Sequence, residues 1–177
     1  PALDSPFVFD DYVHLTNAAV HEPVTTLLHR ALLEHPSGGD GFLRPLGLLY
    51  FWAVSKMAGW EPTIWHSCGL VLHAANTVLV FFVLRRFTGQ IWTSFASAAL
   101  FGWHASHVEA VCWTAASFDL LATFFCLAAL FIAFQSDQVV RTTISMMCFE
   151  ALAYLSKEAA YCLPLLLLCI ALLRDHS

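Results

Sequence analysis

Residues 64–84, IWHSCGLVLHAANTVLVFFVL, decide what kind of molecule this chain forms. The stretch contains no Asp, Glu, Lys or Arg. As an α-helix it is long enough to cross about 30 Å of hydrocarbon. Residues 110–134, AVCWTAASFDLLATFFCLAALFIAF, form a second strong span. Between them, residues 87–103 are shorter and richer in Ser and Thr, a composition suited to close helix packing. Residues 139–155 and 159–173 complete a set of five predicted spans. Composition agrees: 59% of the 177 residues are hydrophobic and 12% are charged, half the share of about 25% usual in soluble domains, and the mean hydropathy is +0.68. The expected fold is all-α, a polytopic transmembrane bundle over 64–177 preceded by an extracytoplasmic loop over 1–63.

That loop has a character of its own. HEPVTTLLHRALLEH places Val24, Leu27, Leu28, Ala31 and Leu32 at helical spacing, with Pro23 suited to the first turn. PSGGDG then breaks the chain, and a second helix is expected in RPLGLLYFWAVSKMAGW, with Pro45 near its start. Tyr50, Trp52, Trp60 and Trp65 are residue types that favour the membrane–water interface, so both helices are expected to lie along the membrane surface. The opening PALDSP has neither the basic nor the apolar region of a signal peptide, and Pro1 reads as a cut point inside a longer protein. The six cysteines form no CxxC pair and read as small buried hydrophobes.

Orientation follows from the basic residues. With 1–63 outside, inward loops carry Arg85, Arg86, Arg141 and Arg174, and Lys157 is the only basic residue of the later outward loops. That satisfies the positive-inside rule. It also places Asp10, Asp11, His14, His104, His107, Glu109, Lys157 and Glu158 on one outer surface. Asp119 and Glu150 lie within spans about two turns below it. Acids inside a membrane are costly and tend to be functional, so an active site facing away from the cytoplasm is expected.

Each residue also has a plainer reading. Asp119 pairs with Lys157 across helices more readily than it serves catalysis, and Glu150 either pairs in the same way or faces a water-filled cavity. His66, His73 and Asn76 share one helical face, where interhelical hydrogen bonding is the favoured role. HASHVE offers His104, His107 and Glu109 as metal ligands, but hydrolytic zinc helices use HExxH. Capping and helix contacts come first there, with a divalent metal second. Asp10 and Asp11, taken alone, read as loop solvation or a cap for a helix starting near Tyr12.

In order, FVFDDYVHL, FLRPL, WHSCGLVLHAAN, LFGWHASHVEAVCW, FDLLA and LSKEAAYCLPLLLL resemble the membrane half of the tetratricopeptide-repeat-containing transmembrane O-mannosyltransferases and their bacterial relatives. These are glycosyltransferases of the C-type membrane fold. The chain departs from the family's usual pattern at Ala105, where Pro is common, at Ser117, where Arg is common, and at Gly69, where Asn is common.

The resemblance implies transfer of a sugar, mannose among the candidates, from a polyprenyl-phosphate-linked donor. The acceptor would be a protein, lipid or glycan at the extracytoplasmic or lumenal face of a bacterial plasma membrane or the endoplasmic reticulum. No nucleic acid and no certain cofactor is implied. Asp10 is the expected base, with Asp11 orienting or binding, since a hydroxyl needs a positioned base to become a nucleophile. Arg44 and Lys157 are the candidate cations for the phosphate leaving group, with His14, His104, His107, Glu109 and Glu158 as further substrate contacts. A carboxylate base opposite a phosphate leaving group predicts inversion by single displacement. The alternative is a non-enzymatic membrane protein: a transporter using Asp119 or Glu150 as a proton relay, or a degenerate member that only binds lipid or partners.

Overall fold

A computed structural model describes residues 5–8, 10–16, 21–29, 32, 44–134, 139–165 and 167. Among them every regular element is helical. Two short helices, α1 (Asp10–Thr16) and α2 (Val24–His29), precede α3 (Pro45–Ala58). Then come α4 (Pro62–Thr88), α5 (Ile91–Trp103), α6 (His107–Cys112), a 3-10 turn at Thr114–Ala116, α7 (Ser117–Ala133), α8 (Val139–Ser156) and a second 3-10 turn at Glu158–Cys162. Both α3 and α4 begin with a proline in the first turn, where the missing N–H has no intrahelical partner to lose. The expected helix over 21–35 is seen as α2, and its later residues apart from Leu32 lie outside the described residues.

Two helical stretches are long and apolar enough to cross a membrane: Pro62–Thr88, with mean hydropathy 2.0, and Thr114–Ala133, with 2.1. On α4 the buried residues His66, Gly69, His73, Asn76 and Val83 follow one helical face, while Val71, Val78 and Phe82 are exposed on the others. The first predicted span runs on to Thr88, past its expected end at 84, and its end is chemically marked. Gly89, at φ 71°, closes the helix in the left-handed region that disfavours side chains, and its N–H donates to the Arg85 carbonyl at 3.1 Å. Arg85 donates back to the Gly89 carbonyl, a cation at the negative end of the helix dipole.

The other predicted boundaries shift for identifiable reasons. The helix expected over 87–103 begins only at Ile91, because the Gly89–Gln90 turn separates it from α4. It runs 13 residues, about 20 Å at helical rise. It packs on α4 through small residues four apart: Ser94 and Ala98 are buried, and a Cβ on Gly102 would come within 2.9 Å of Thr77 Cγ2. Small residues at that spacing let two backbones approach closely. The stretch expected over 110–134 is broken at Trp113, so residues 110–112 belong to α6 and the span proper starts at Thr114. Residues 159–173 open as a 3-10 turn, and most of the remainder lies outside the described residues.

Two apolar clusters organise the helices. One joins α1, α3, the start of α4 and the start of α7 through Phe7, Leu15, Phe51, Val54, Ala58, Trp65 and Phe118. The other joins α4 and α7 to the chain after the last turn through Val83, Ala129, Leu130 and Leu163.

Candidate functional site at the loop-bearing end of the helices

The two neighbouring acids have different surroundings. Asp11 is fully buried. Its Oδ1 accepts the Ala115 N–H at 2.7 Å and its Oδ2 accepts the Val8 N–H at 3.0 Å. One carboxylate thereby ties the start of α1 to the 3-10 turn that leads into α7. Asp10, one residue earlier in the same first turn, is exposed.

Behind the acids lies an aromatic floor. Phe118 stacks on Phe51 with ring centroids 5.0 Å apart, and His14 meets both rings at 5.2 and 5.3 Å. The Arg44 guanidinium carbon sits 5.6 Å from the Phe118 centroid, a cation over a ring face. Arg44 also forks onto Glu158, with Nε donating to Oε2 at 2.8 Å and Nη2 to Oε1 at 2.5 Å. This fork, first among several causes, holds the Glu158 carboxyl below the usual carboxylate range. Next to it Lys157 Nζ donates to Asp119 Oδ2 at 2.5 Å. Since Phe118–Asp119 and Lys157–Glu158 are each consecutive, the start of α7 and the turn after α8 are linked twice, with Arg44 joining them to α3.

Asp10, Asp11, His14, Arg44, Lys157 and Glu158 thus gather at one end, although their positions span nearly the whole chain. Asp119 takes the plain role, pairing with Lys157. Glu150 accepts the Tyr154 hydroxyl at 2.5 Å. His73 donates from Nε2 to the Gly102 carbonyl at 3.2 Å and Asn76 from Nδ2 to the Leu120 carbonyl at 3.0 Å, both interhelical. His66 bonds the Ser5 carbonyl at 3.0 Å.

His104 and His107 sit elsewhere. They line a groove of about 770 Å³ between α4, α5 and α6, together with His73, Leu70, Trp103 and Val108. Burial, with His73 and His104 alongside, pushes the His107 imidazole below its ordinary value. Glu109 is exposed on α6 and does not line the groove. Among the described residues no three His, Cys, Asp or Glu side chains are placed to hold a metal ion. Two parts of the site escaped sequence reading. The Ala115 N–H carries no residue-type signal, and Phe118 is part of FDLLA, where the acid drew attention and the ring did not.

Over 94% of its length the chain is 31% identical to protein O-mannosyl-transferase Tmtc1 of Drosophila melanogaster, of which it covers 20%. It is 26% identical over 99% of its length to a protein O-mannosyl-transferase of Caenorhabditis elegans, covering 26% of that protein. Against protein O-mannosyl-transferase TMTC3 of Mus musculus the figures are 31% identity, 86% of this chain and 18% of the relative. The chain therefore spans about a fifth to a quarter of these curated relatives. No protein-family model matches it, and no solved structure matches it significantly.

Proposed function

We propose that this chain, a relative of the tetratricopeptide-repeat-containing transmembrane O-mannosyltransferases over nearly its whole length, is part of a membrane-embedded mannosyltransferase. The donor is mannose on a polyprenyl phosphate. The acceptor is a protein hydroxyl, in keeping with the relatives' names. Transfer takes place on the extracytoplasmic or lumenal face, in a five-span bundle over 64–177 with the loop over 1–63 as its outer cover.

The observation that supports this reading is that α1, which opens with the exposed carboxylate of Asp10, is held by Asp11 to Ala115 and by His14 against Phe118, the ring over which Arg44 lies. Asp10 takes the proton of the acceptor hydroxyl as its oxygen attacks the anomeric carbon. The bond from that carbon to the donor phosphate breaks on the opposite face, the phosphate leaves with the bonding pair, and the configuration inverts. Arg44, held in plane by Glu158 and Phe118, and Lys157, anchored on Asp119, face the charge that develops on the leaving oxygen. Asp11 positions the loop that carries Asp10.

The test is mannose transfer from a polyprenyl-phosphate donor by the full-length protein in membranes. Asp10→Asn is expected to lower kcat by about 10²-fold or more with donor binding retained. Wild-type rates in Asp10→Asn would remove it as the base.

A further inference from the structure

The cations of this chain differ between the two ends of the helices. Arg44 and Lys157 are each joined to a carboxylate, Glu158 and Asp119. Arg85 and Arg86, in the last turn of α4, are exposed and have no carboxylate partner among the described residues. Resting on the membrane-embedded reading above, we propose that these two arginines, with the Gly89–Gln90 turn beside them, bind the headgroup of an anionic phospholipid in the leaflet opposite the Asp10–Asp11 end.

The shortage of acid there is local. Neither α4 nor α5 contains an Asp or Glu, and the one acid of α7, Asp119, stands in its first turn. Phe131, the part of α7 that meets Arg86, lies about 18 Å along the helix from Asp119 at 1.5 Å per residue. The guanidiniums are also held in place. Arg85 donates through Nη1 to the Gly89 carbonyl, and the Arg86 guanidinium carbon sits 6.0 Å from the Phe131 centroid. The turn into α5 is braced, with the Gln90 N–H donating to Thr88 Oγ1 at 3.2 Å and Thr93 Oγ1 donating to Gln90 Oε1 at 2.9 Å. A guanidinium has five N–H donors in a planar fork, so each keeps donors for phosphate oxygens. Side chains ordered before binding lose less entropy on it.

Depth and neighbours identify a lipid as the source of that phosphate. The 27 residues of α4 extend about 40 Å, which matches a bilayer with its headgroup layers, about 40–45 Å thick. Its last turn therefore lies among headgroups. Beside the arginines Phe87 and Ile91 are about half exposed, and Trp92, a residue type favoured at the interface, is 80% exposed. A free anion would leave these apolar surfaces in water, whereas a phospholipid covers them with its acyl chains while its headgroup meets the charges. Two unpaired cations favour a headgroup of net negative charge over a zwitterionic one, whose ammonium they repel.

The experiment places the full-length protein in nanodiscs of phosphatidylcholine with a trace of phosphatidylserine carrying a diazirine next to its glycerol, and maps the photolabel by peptide mass spectrometry. Label on residues 82–95 or 131–134 is expected, competed by unlabelled phosphatidylserine and not by more phosphatidylcholine. The double variant Arg85→Gln/Arg86→Gln is expected to lower labelling of these segments about tenfold or more, at roughly fivefold for each arginine. Lys56→Gln, which removes an exposed cation from α3, should leave it unchanged. Unchanged labelling in the double variant overturns the proposal. So does label confined to other segments, the result expected if another part of the full-length chain covers the arginines. Loss of the label on adding millimolar inorganic phosphate identifies a site for a free anion and overturns the lipid assignment. If the double variant fails to fold, the wild-type map and its competition decide the matter by themselves. Sugar transfer is not read, so a protein inactive as a mannosyltransferase that labels here fails the transferase reading and supports this site. Absence of label from every segment removes the membrane reading and the proposal together.

Discussion

Asp10 and Asp11 are neighbours in the chain, yet only Asp10 has an exposed carboxylate. Both oxygens of Asp11 accept backbone N–H groups in a fully buried setting. An asparagine there retains one acceptor and turns its NH₂ toward the second N–H. Leaving a buried donor unpaired costs about 1–3 kcal/mol, so Asp11→Asn is expected to lower the melting temperature of the purified protein clearly. Asp10→Asn, on an exposed side chain, should stay within about 0.5 kcal/mol of wild type. Equal melting of the two variants would contradict the clamp assigned to Asp11. Glu158 adds a pH signature. Its folded carboxyl is held below the ordinary glutamate value of 4.5, chiefly by Arg44. The fork therefore contributes its stability above about pH 4.5, and the contribution is lost as pH falls through the lower folded value. Glu158→Gln should flatten that acid limb of the stability curve, and an unaltered limb would mean that the fork contributes nothing measurable.

Among the elements, α3 and α7 approach closely at a single glycine. A Cβ on Gly47 would overlap the Phe118 ring at Cδ1 and Cε1. Phe118 cannot swing away freely, because Phe51 stacks on it and His14 and Arg44 flank it. Gly47→Ala is expected to cost about 1–3 kcal/mol as overpacking. The double variant with Phe118→Leu should recover part of that loss, whereas simple additivity would show that the two residues do not touch. The crossing also bears on function, since moving Phe118 moves the ring under Arg44. The short helix α5 depends on the opposite device, small residues instead of a large one, so that α4 can lie close enough for His73 to reach the Gly102 carbonyl.

At the scale of the whole molecule, the proposed topology places the Gly89–Gln90 turn and the 104–106 loop on opposite sides of the membrane. Single-cysteine variants at Gln90 and Ser106, in an otherwise cysteine-free protein, test this with a membrane-impermeant maleimide on intact vesicles. Only one of the two positions should label before the membrane is permeabilised. Labelling of both, or of neither, would remove α5 as a crossing segment. A cysteine replacing Ala159, beside the Lys157–Glu158 pair, should label with the same sidedness as Ser106.

Helical content and the first long apolar helix were legible in the sequence, because hydrophobic runs are local properties of the chain. Residues 64–84 need no neighbours to declare a long apolar helix. The Asp119–Lys157 pairing and the interhelical roles of His73 and Asn76 followed from the cost of leaving polar groups unpaired among apolar helices. Chain order alone did not separate Asp10 from Asp11, because the difference lies in two backbone N–H groups, one of them at Ala115, far along the chain. Nor did it part His104 and His107 from the acid-bearing end, since that separation depends on where α5 stops and how α6 turns back along α4. Sequence determined which segments are apolar and which residues carry charge. Tertiary structure decided which of those charges are already bonded and which are presented, because burial and hydrogen bonding are set by contacts between segments that the chain order keeps apart.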